Sequence, residues 1–220
     1  MANFSTHLTG AVITSSLSSV YLFNADFVDE SINLIPLSVL GVIGGFLPDI
    51  DSDHSTSARY VFNLLTIALI VLTIIELFEV LSIVQVVFVS FLIGIFVRII
   101  FFWIFKRLTV HRGIIHSVPC GILFSLITIY FLQMAPFISD KFAISAGIIL
   151  FIGYITHLVL DELYAVNLAG LELKASFGTA LKFIKIGPIL PSLIVYSCIV
   201  LLWTVIPNLK ELLLDLLSLN

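Results

Sequence analysis

Residues 142–160 have the sequence FAISAGIILFIGYITHLVL, which contains no Asp, Glu, Lys or Arg. A segment of this length and composition is typical of a helix that crosses a bilayer, which needs about 20 mainly apolar residues. Comparable apolar segments lie on both sides of it, at about residues 8–25, 33–48, 60–78, 80–105, 117–137 and 187–207. The sequence therefore predicts an all-α integral membrane bundle of six or seven transmembrane helices, in a single domain over residues 1–220.

The composition excludes several classes of protein. Of the 220 residues, 60% are hydrophobic and only 11% are charged, and the mean hydropathy is +1.20. A soluble domain carries about 25% charged residues, so this chain has too little polar surface to be one. Its Lys and Arg residues number only 10 and form no basic stripe, so we expect no nucleic-acid partner.

The first apolar segment, and a further short stretch that follows the segment at 187–207, differ from the others. The first, 8–25, is the least apolar because it is rich in Ser and Thr. Such residues suit a helix that packs closely against other helices, and the alternative is a half-inserted helix. The further stretch, 209–219, is apolar at 209, 212, 213, 216 and 217, a pattern typical of a short interfacial helix. The polar residues 161–186 predict a cytoplasmic loop or a re-entrant segment.

The distribution of positive charge predicts the orientation. On a seven-span trace most Lys and Arg residues fall on one side, namely Arg59, Lys106, Arg107, Arg112, Lys174, Lys182 and Lys185. Only Lys141 and Lys210 fall clearly on the other side. By the positive-inside rule, the first side and the N-terminus are cytoplasmic, in a multi-pass protein of the inner membrane. Arg98 lies within the fourth span, where it either snorkels to the interface or contacts an anion.

An acidic motif closes the second span. Residues 47–54 read LPDIDSDH, in which Pro48 ends the helix and Asp49, Asp51 and Asp53 alternate. Carboxylates this close repel one another and are most easily tolerated when a cation neutralises them. The alternative is a solvated acidic turn.

The histidines fall on the same side of this trace. They come from four separate segments and are His7, His54, His111, His116 and His157. Residues 111–117 read HRGIIHS. Gly113 allows the backbone to bend so that both histidines of this motif face inward, and Ser117 is placed to cap the fifth span. The alternative is that these histidines are interfacial loop residues.

The sequence HLVLD at 157–161 gives a third motif. On a helix, residues four apart differ by about 40° around the axis, so His157 and Asp161 can reach one ion. A capped helix end is the alternative. Imidazole and carboxylate together suit zinc first, with manganese or iron as alternatives. The residues are enough for one ion or two, and two ions can clamp a phosphoester during hydrolysis. Arg112 either holds an anionic substrate bidentately or only sets topology.

Taken together, these motifs resemble those of the membrane-bound metal-dependent hydrolases typified by the YdjM inner membrane proteins of bacteria, also described as LexA-regulated. The resemblance covers most of the chain and rests on His7, LPDID at 47–51, HRGIIHS at 111–117 and HLVLD at 157–161. That family often has Thr where Ile115 stands here. Its His/Asp set is also distantly similar to that of zinc-dependent phospholipase C and related nucleases, which implies phosphoester cleavage.

The first hypothesis is therefore a hydrolase at the cytoplasmic interface that cleaves a phosphoester or other ester of a lipid or membrane-associated substrate. Its metal ligands would be His7, Asp49, Asp51, His111, His116, His157 and Asp161. Asp51 is the candidate general base, and Arg112 would bind the substrate anion. Asp53 and His54 are second choices. The alternatives are a transporter or ion carrier that uses the same cluster, and a structural protein whose histidines are dispersed in space.

Overall fold

The computed structural model describes residues 3–51, 56–103, 114–167, 172–173, 181–183 and 189–217. Almost all of these residues are helical. The α-helices are α1 (Phe4–Asn24), α2 (Leu34–Phe46), α3 (Thr56–Leu77), α4 (Ile83–Ile95), α5 (Val118–Gln133), α6 (Asp140–Ala165), α7 (Leu190–Val205) and α8 (Leu209–Leu217). Short 3-10 helices cover Ser31–Asn33 and Leu47–Asp51, and a π-helical segment, Phe96–Phe101, continues α4. Val166–Asn167 (β1) and Glu172–Leu173 (β2) form a short antiparallel pair.

The predicted fold class is confirmed. Four helical segments are long and apolar enough to cross a membrane, namely Ser31–Ile50, Ala58–Leu77, Ile83–Ile100 and Asp140–Ala165. The helices α5 and α7 are apolar but shorter. Among the described helices, α1 is also long, but it is not in the set that meets these criteria, as its Ser and Thr content predicted.

The chain divides into two compact units, one within Met1–Pro48 and Arg112–Asn220 and the other within Asp49–His111. In the first unit, α6 packs against α1, α2 and α5, and α5 packs against α7. In the second unit, α3 packs against α4 and its π-helical continuation.

Small residues let the helices of the first unit approach closely. A side chain at Gly153 on α6 would overlap the carbonyl oxygen of Gly41 on α2, and one at Gly45 would lie 2.5 Å from Cβ of Ala11 on α1. Ser15 and Ser19 of α1 are fully buried, and the Ser38 hydroxyl of α2 bonds to that of Ser19. Close approach through such residues is how membrane helices gain packing energy. Of the polar residues of the first segment, Ser15 and Ser19 therefore face neighbouring helices as expected, whereas Thr9 is exposed.

The first unit also has an apolar core, which lies at the end of the helices opposite the N-terminus of α1. Leu22, Leu37, Ile129 and Ile144 lie in it, and the exposed fractions of their side chains are 4% or less. The helix α8, predicted as a short interfacial helix, is present and packs its leucines against this core: Leu212, Leu213 and Leu216.

The second unit is a helical hairpin. The side chains of Ser82 and Gln85 form a reciprocal capping box at the start of α4. Arg98 is exposed, and its guanidinium donates a hydrogen bond to the side-chain oxygen of Asn63 on α3. Arg98 therefore links the two helices of the hairpin, a role that the sequence did not indicate.

The end of α6 corrects one boundary. The apolar segment was placed at 142–160 and a loop or re-entrant segment was predicted from 161, but α6 begins at Asp140 and continues to Ala165. The helix continues because Asp161 turns inward and is 4% exposed, so its polarity marks a buried site and not a helix end. Ser117 occupies the predicted N-cap position of α5, but its hydroxyl donates to the carbonyl of Ile114 and makes no capping bond.

Candidate metal centre

Three buried histidines from three parts of the first unit meet around one buried carboxylate, that of Asp161. His7 lies in the first turn of α1, His116 directly precedes the N-cap of α5, and His157 and Asp161 lie on α6. The exposed fractions of these side chains are between 1% and 4%. The structure therefore brings together residues that are distant in the sequence, as a shared site requires.

The distances define the arrangement. Nε2 of His7 is 3.2 Å from Oδ1 of Asp161. Nε2 of His116 and Nε2 of His157 are 3.7 Å and 3.9 Å from the other carboxylate oxygen, Oδ2. The rings of His7 and His157 are stacked, with centroids 3.7 Å apart, and the ring of His116 lies edge-on to that of His157 at 5.6 Å. All three imidazoles thus present the same nitrogen, Nε2, to one carboxylate.

Local structure fixes each imidazole. The side chain of Asn3 accepts a hydrogen bond from the backbone N–H of Thr6 at 2.8 Å, and this cap sets the first turn of α1, which carries His7. The hydroxyl of Tyr154, a fully buried residue of α6, donates to the carbonyl of Ile115 and so ties the loop before His116 to α6. Nδ1 of His157 is 2.7 Å from the carbonyl oxygen of Gly45 on α2.

The contact with Gly45 determines the tautomer of His157. A carbonyl oxygen only accepts hydrogen bonds, so Nδ1 of His157 carries the proton. In the neutral imidazole, Nε2 then carries the lone pair, and it faces a carboxylate oxygen of Asp161. Either a metal ion between the two atoms or a proton on Nε2 would make this contact favourable.

Three of these side chains could hold a divalent ion. One ligand atom from each of His116, His157 and Asp161 can be chosen so that the three lie within 4.8 Å of one another. The nitrogen–oxygen distances of 3.7 Å and 3.9 Å exceed the 2.7–3.2 Å of a normal hydrogen bond. They exceed by only a few tenths of an ångström the ~3.3 Å that separates two ligands of a tetrahedral zinc ion with bonds of about 2.0–2.1 Å.

The buried oxygens of the carboxylate agree with this interpretation. Both oxygens of Asp161 are inaccessible to water. Oδ1 is 3.2 Å from Nε2 of His7, at the limit of a normal hydrogen bond, whereas Oδ2 is 3.7 Å and 3.9 Å from the other two imidazoles. Buried polar atoms are normally satisfied. An oxygen that is a ligand for a cation meets that requirement without a hydrogen bond.

The remaining predicted site residues either lie outside what the structure describes or belong to the second unit. His111, Arg112, Asp53 and His54 lie outside the described residues. Asp51 ends the 3-10 helix Leu47–Asp51, and its side chain is outside the described set. Asp49 belongs to the second unit. Their roles as ligands, as general base or as anion contact remain predictions.

Sequence reasoning missed the residues that support the histidines. Gly45 and Tyr154 lie in apolar segments and carry no signal of a site. The only signal for Tyr154 is its helical spacing of three residues from His157, which places it on a neighbouring part of the same face.

This fold and this cluster define an all-helical membrane protein with a buried His/Asp site that could bind metal. The family model for the YdjM inner membrane protein matches residues 1–217. The chain belongs to the YdjM inner membrane protein family, which confirms the resemblance seen in the sequence. Among curated proteins and among solved structures, none matches the chain significantly.

Proposed function

We propose that the protein is a metal-dependent hydrolase that cleaves a phosphoester or other ester of a lipid or membrane-associated substrate. The observation that carries the proposal is the convergence of three Nε2 atoms on the buried carboxylate of Asp161, at 3.2–3.9 Å. A divalent ion bound there, zinc first among the candidates, would polarise the ester and activate a water molecule at neutral pH.

The residues of the chain have separate roles in this proposal. His7, His116 and His157 supply neutral nitrogen ligands, and Asp161 supplies the negative charge that the cation requires. The carbonyl of Gly45 holds His157 in the tautomer that leaves Nε2 available. Asp49, Asp51 and His111 are the further ligands proposed from the sequence, and they are enough for a second ion. Arg112 is proposed to bind the substrate anion.

The charge distribution supports a cytoplasmic position for the site in a multi-pass protein. The N-terminus, the loop before α5 and the end of α6 fall on the side that is rich in Lys and Arg. The cluster lies close to the ends of three elements: His7 is near the start of α1, His116 precedes α5, and Asp161 is close to the end of α6. Transporter sites usually lie near the bilayer midplane, so this position favours an interfacial hydrolase over a carrier.

Metal analysis of the full chain, purified in detergent, tests the proposal. We expect one or two zinc ions per wild-type chain, and loss of that metal in Asp161→Asn and His116→Ala. Asp140→Asn is the matched control because it makes the same chemical change at the other end of α6. Wild-type protein that is folded but binds no divalent metal would contradict the proposal.

A second measurement separates an enzyme from a metal-binding protein. Phospholipid vesicles treated with the zinc-loaded wild type should release cleaved headgroups or fatty acids, and a chelator or Asp161→Asn should stop the release. A zinc-loaded protein that moves ions or solutes across vesicles but cleaves no ester would identify a transporter.

A further inference from the structure

Two cavities lie next to each other along the contact between α1 and α6, and Leu160 lines both. The first has a volume of about 320 Å³ and is lined mainly by Phe151, Ile155 and Val159 of α6. The second, of about 350 Å³, lies nearer the N-terminus of α1. We call this pair of cavities the α1/α6 groove. Each cavity is at the lower end of the ~300–1,000 Å³ range of small-molecule sites.

The polarity of the groove changes along its length. In the first cavity, the hydroxyl of Thr14 donates to the carbonyl of Gly10 at 2.9 Å, and that of Thr156 donates to the carbonyl of Ile152 at 2.8 Å. The polar groups of this cavity are therefore engaged with the backbone, and its wall is effectively hydrocarbon. The second cavity is lined by Ser5, Thr6 and Thr9 together with Gly10, Ile13 and Leu160, so it is less apolar than the first but not wholly polar. The hydroxyls of Ser5 and Thr6 donate to the side-chain oxygen of Asn3 at 2.8 Å and 2.6 Å, and their oxygens can still accept hydrogen bonds.

The polar end of the groove adjoins the His/Asp cluster. Thr6 directly precedes His7, and Leu160 directly precedes Asp161. Neighbouring residues on a helix differ by about 100° around the axis, so the groove and the cluster occupy adjacent faces at the same level of α1 and α6. A ligand in the groove thus has its polar end beside the cluster and its apolar end along Phe151 and Ile155.

We propose that the α1/α6 groove binds one acyl chain of a glycerophospholipid, with the ester and phosphate groups held at the polar end beside the cluster. The inference rests on the proposed function, because it names the substrate of that site. The sequence of hydrocarbon followed by hydroxyl groups along the groove matches the order of groups in such a lipid. Ile13, which lines the second cavity, is 53% exposed, so the groove opens on the apolar outer face of α1.

The occupant is a lipid and not a water-soluble ester because the first cavity offers no unengaged polar group to a polar ligand. An empty groove in a bilayer would forfeit the dispersion contacts of its walls. Within the groove, α1 and α6 are in close contact where Gly10 meets Leu160, because a side chain at Gly10 would lie only 2.7 Å from Cδ1 of Leu160.

Photolabelling of the full chain in nanodiscs tests the inference. The probe is a phosphatidylcholine with a diazirine in one acyl chain, and labelled peptides are mapped by mass spectrometry. We expect labelling concentrated on residues 151–160 and on the N-terminal half of α1. Val159→Trp should reduce it by about tenfold because the indole fills the first cavity. Val200→Trp, at a 63% exposed site on α7, is the matched control and should leave the labelling unchanged.

The outcomes distinguish this inference from the proposed function. Labelling spread evenly over all apolar helices of the wild type would overturn the inference, whatever the variants do. Zinc binding and cleavage of a water-soluble phosphoester, without labelling of the groove, would overturn it and leave the hydrolase proposal standing. Concentrated labelling in a protein that binds no metal would support the groove and refute the hydrolase. Zinc content and melting temperature equal to wild type confirm that Val159→Trp has folded.

Discussion

Removing the hydroxyl of Tyr154 should weaken metal binding by about as much free energy as it weakens the fold. The hydroxyl donates to the carbonyl of Ile115, the residue before His116. Tyr154→Phe keeps the ring, which packs beside Gly121 and Phe124. The carbonyl of Ile115 keeps a second hydrogen bond, from the N–H of Ser117 at 2.9 Å. We therefore expect a loss of only about 0.5–1.5 kcal/mol in the free energy of unfolding, that of one ordinary hydrogen bond.

The effect on metal should be measurable separately from the effect on stability. The bond from Tyr154 holds the loop of His116 against α6, which carries His157 and Asp161. Loss of a residue that orients a ligand typically lowers metal affinity by about 10–100-fold, so we expect a drop in zinc affinity of about tenfold. Competition with a chromophoric chelator in detergent measures the affinity, and thermal unfolding measures the stability. Tyr130→Phe, on partly buried Tyr130 of α5, is the control. If Tyr154→Phe lowers the melting temperature but binds zinc as tightly as wild type, the reasoning is wrong.

Three further expectations follow from the packing and charge of the first unit. Gly153→Ala should destabilise the protein by more than the ~1–3 kcal/mol of ordinary overpacking, because the new Cβ meets backbone and not a flexible side chain. The control is Gly94→Ala in the second unit, where there is space for the methyl group, and it should raise the melting temperature slightly. Zinc at about 1,000 times its dissociation constant should stabilise wild type against thermal unfolding by about 4 kcal/mol. Asp161→Asn should abolish this increase. After chelator treatment, the variant should be as stable as wild type. Zinc affinity should fall as the pH is lowered from about 7.5 to about 5.5, because protons compete with the metal for imidazole nitrogens; an affinity that does not change with pH in a titration would argue against histidine ligands.

The fold was largely predictable because hydrophobic length is a strong signal in membrane helices. The segment placed at 117–137 corresponds to Val118–Gln133, and that placed at 187–207 corresponds to Leu190–Val205. The error at the end of α6 has a specific cause. The polarity of Asp161 suggested a loop, whereas the spacing of HLVLD required a helix through 161 for His157 and Asp161 to share a face, and the structure agrees with the spacing.

The site was predictable in its residue types but not in its geometry. The sequence indicates that His7, His116, His157 and Asp161 have compatible chemistry, because imidazole nitrogens and carboxylate oxygens together suit a divalent metal ion such as zinc. It does not indicate which ring nitrogen faces the carboxylate. That depends on the carbonyl of Gly45, which is 112 residues from His157 in the chain and is chemically the same as any other backbone carbonyl.

The residue type that surrounds Asp161, histidine and not arginine or lysine, bears on the role of the cluster. Within the described part of the chain, only His7, His116 and His157 lie within ion-pair distance of this carboxylate. A buried negative charge costs several kcal/mol unless a positive charge compensates it. Arg or Lys would do so permanently, which suits a structural ion pair, whereas an imidazole compensates the charge only when it is protonated and otherwise offers a nitrogen lone pair to a metal ion. A cluster of this composition is therefore consistent with the proposed binding of a cation, which would supply the positive charge beside Asp161.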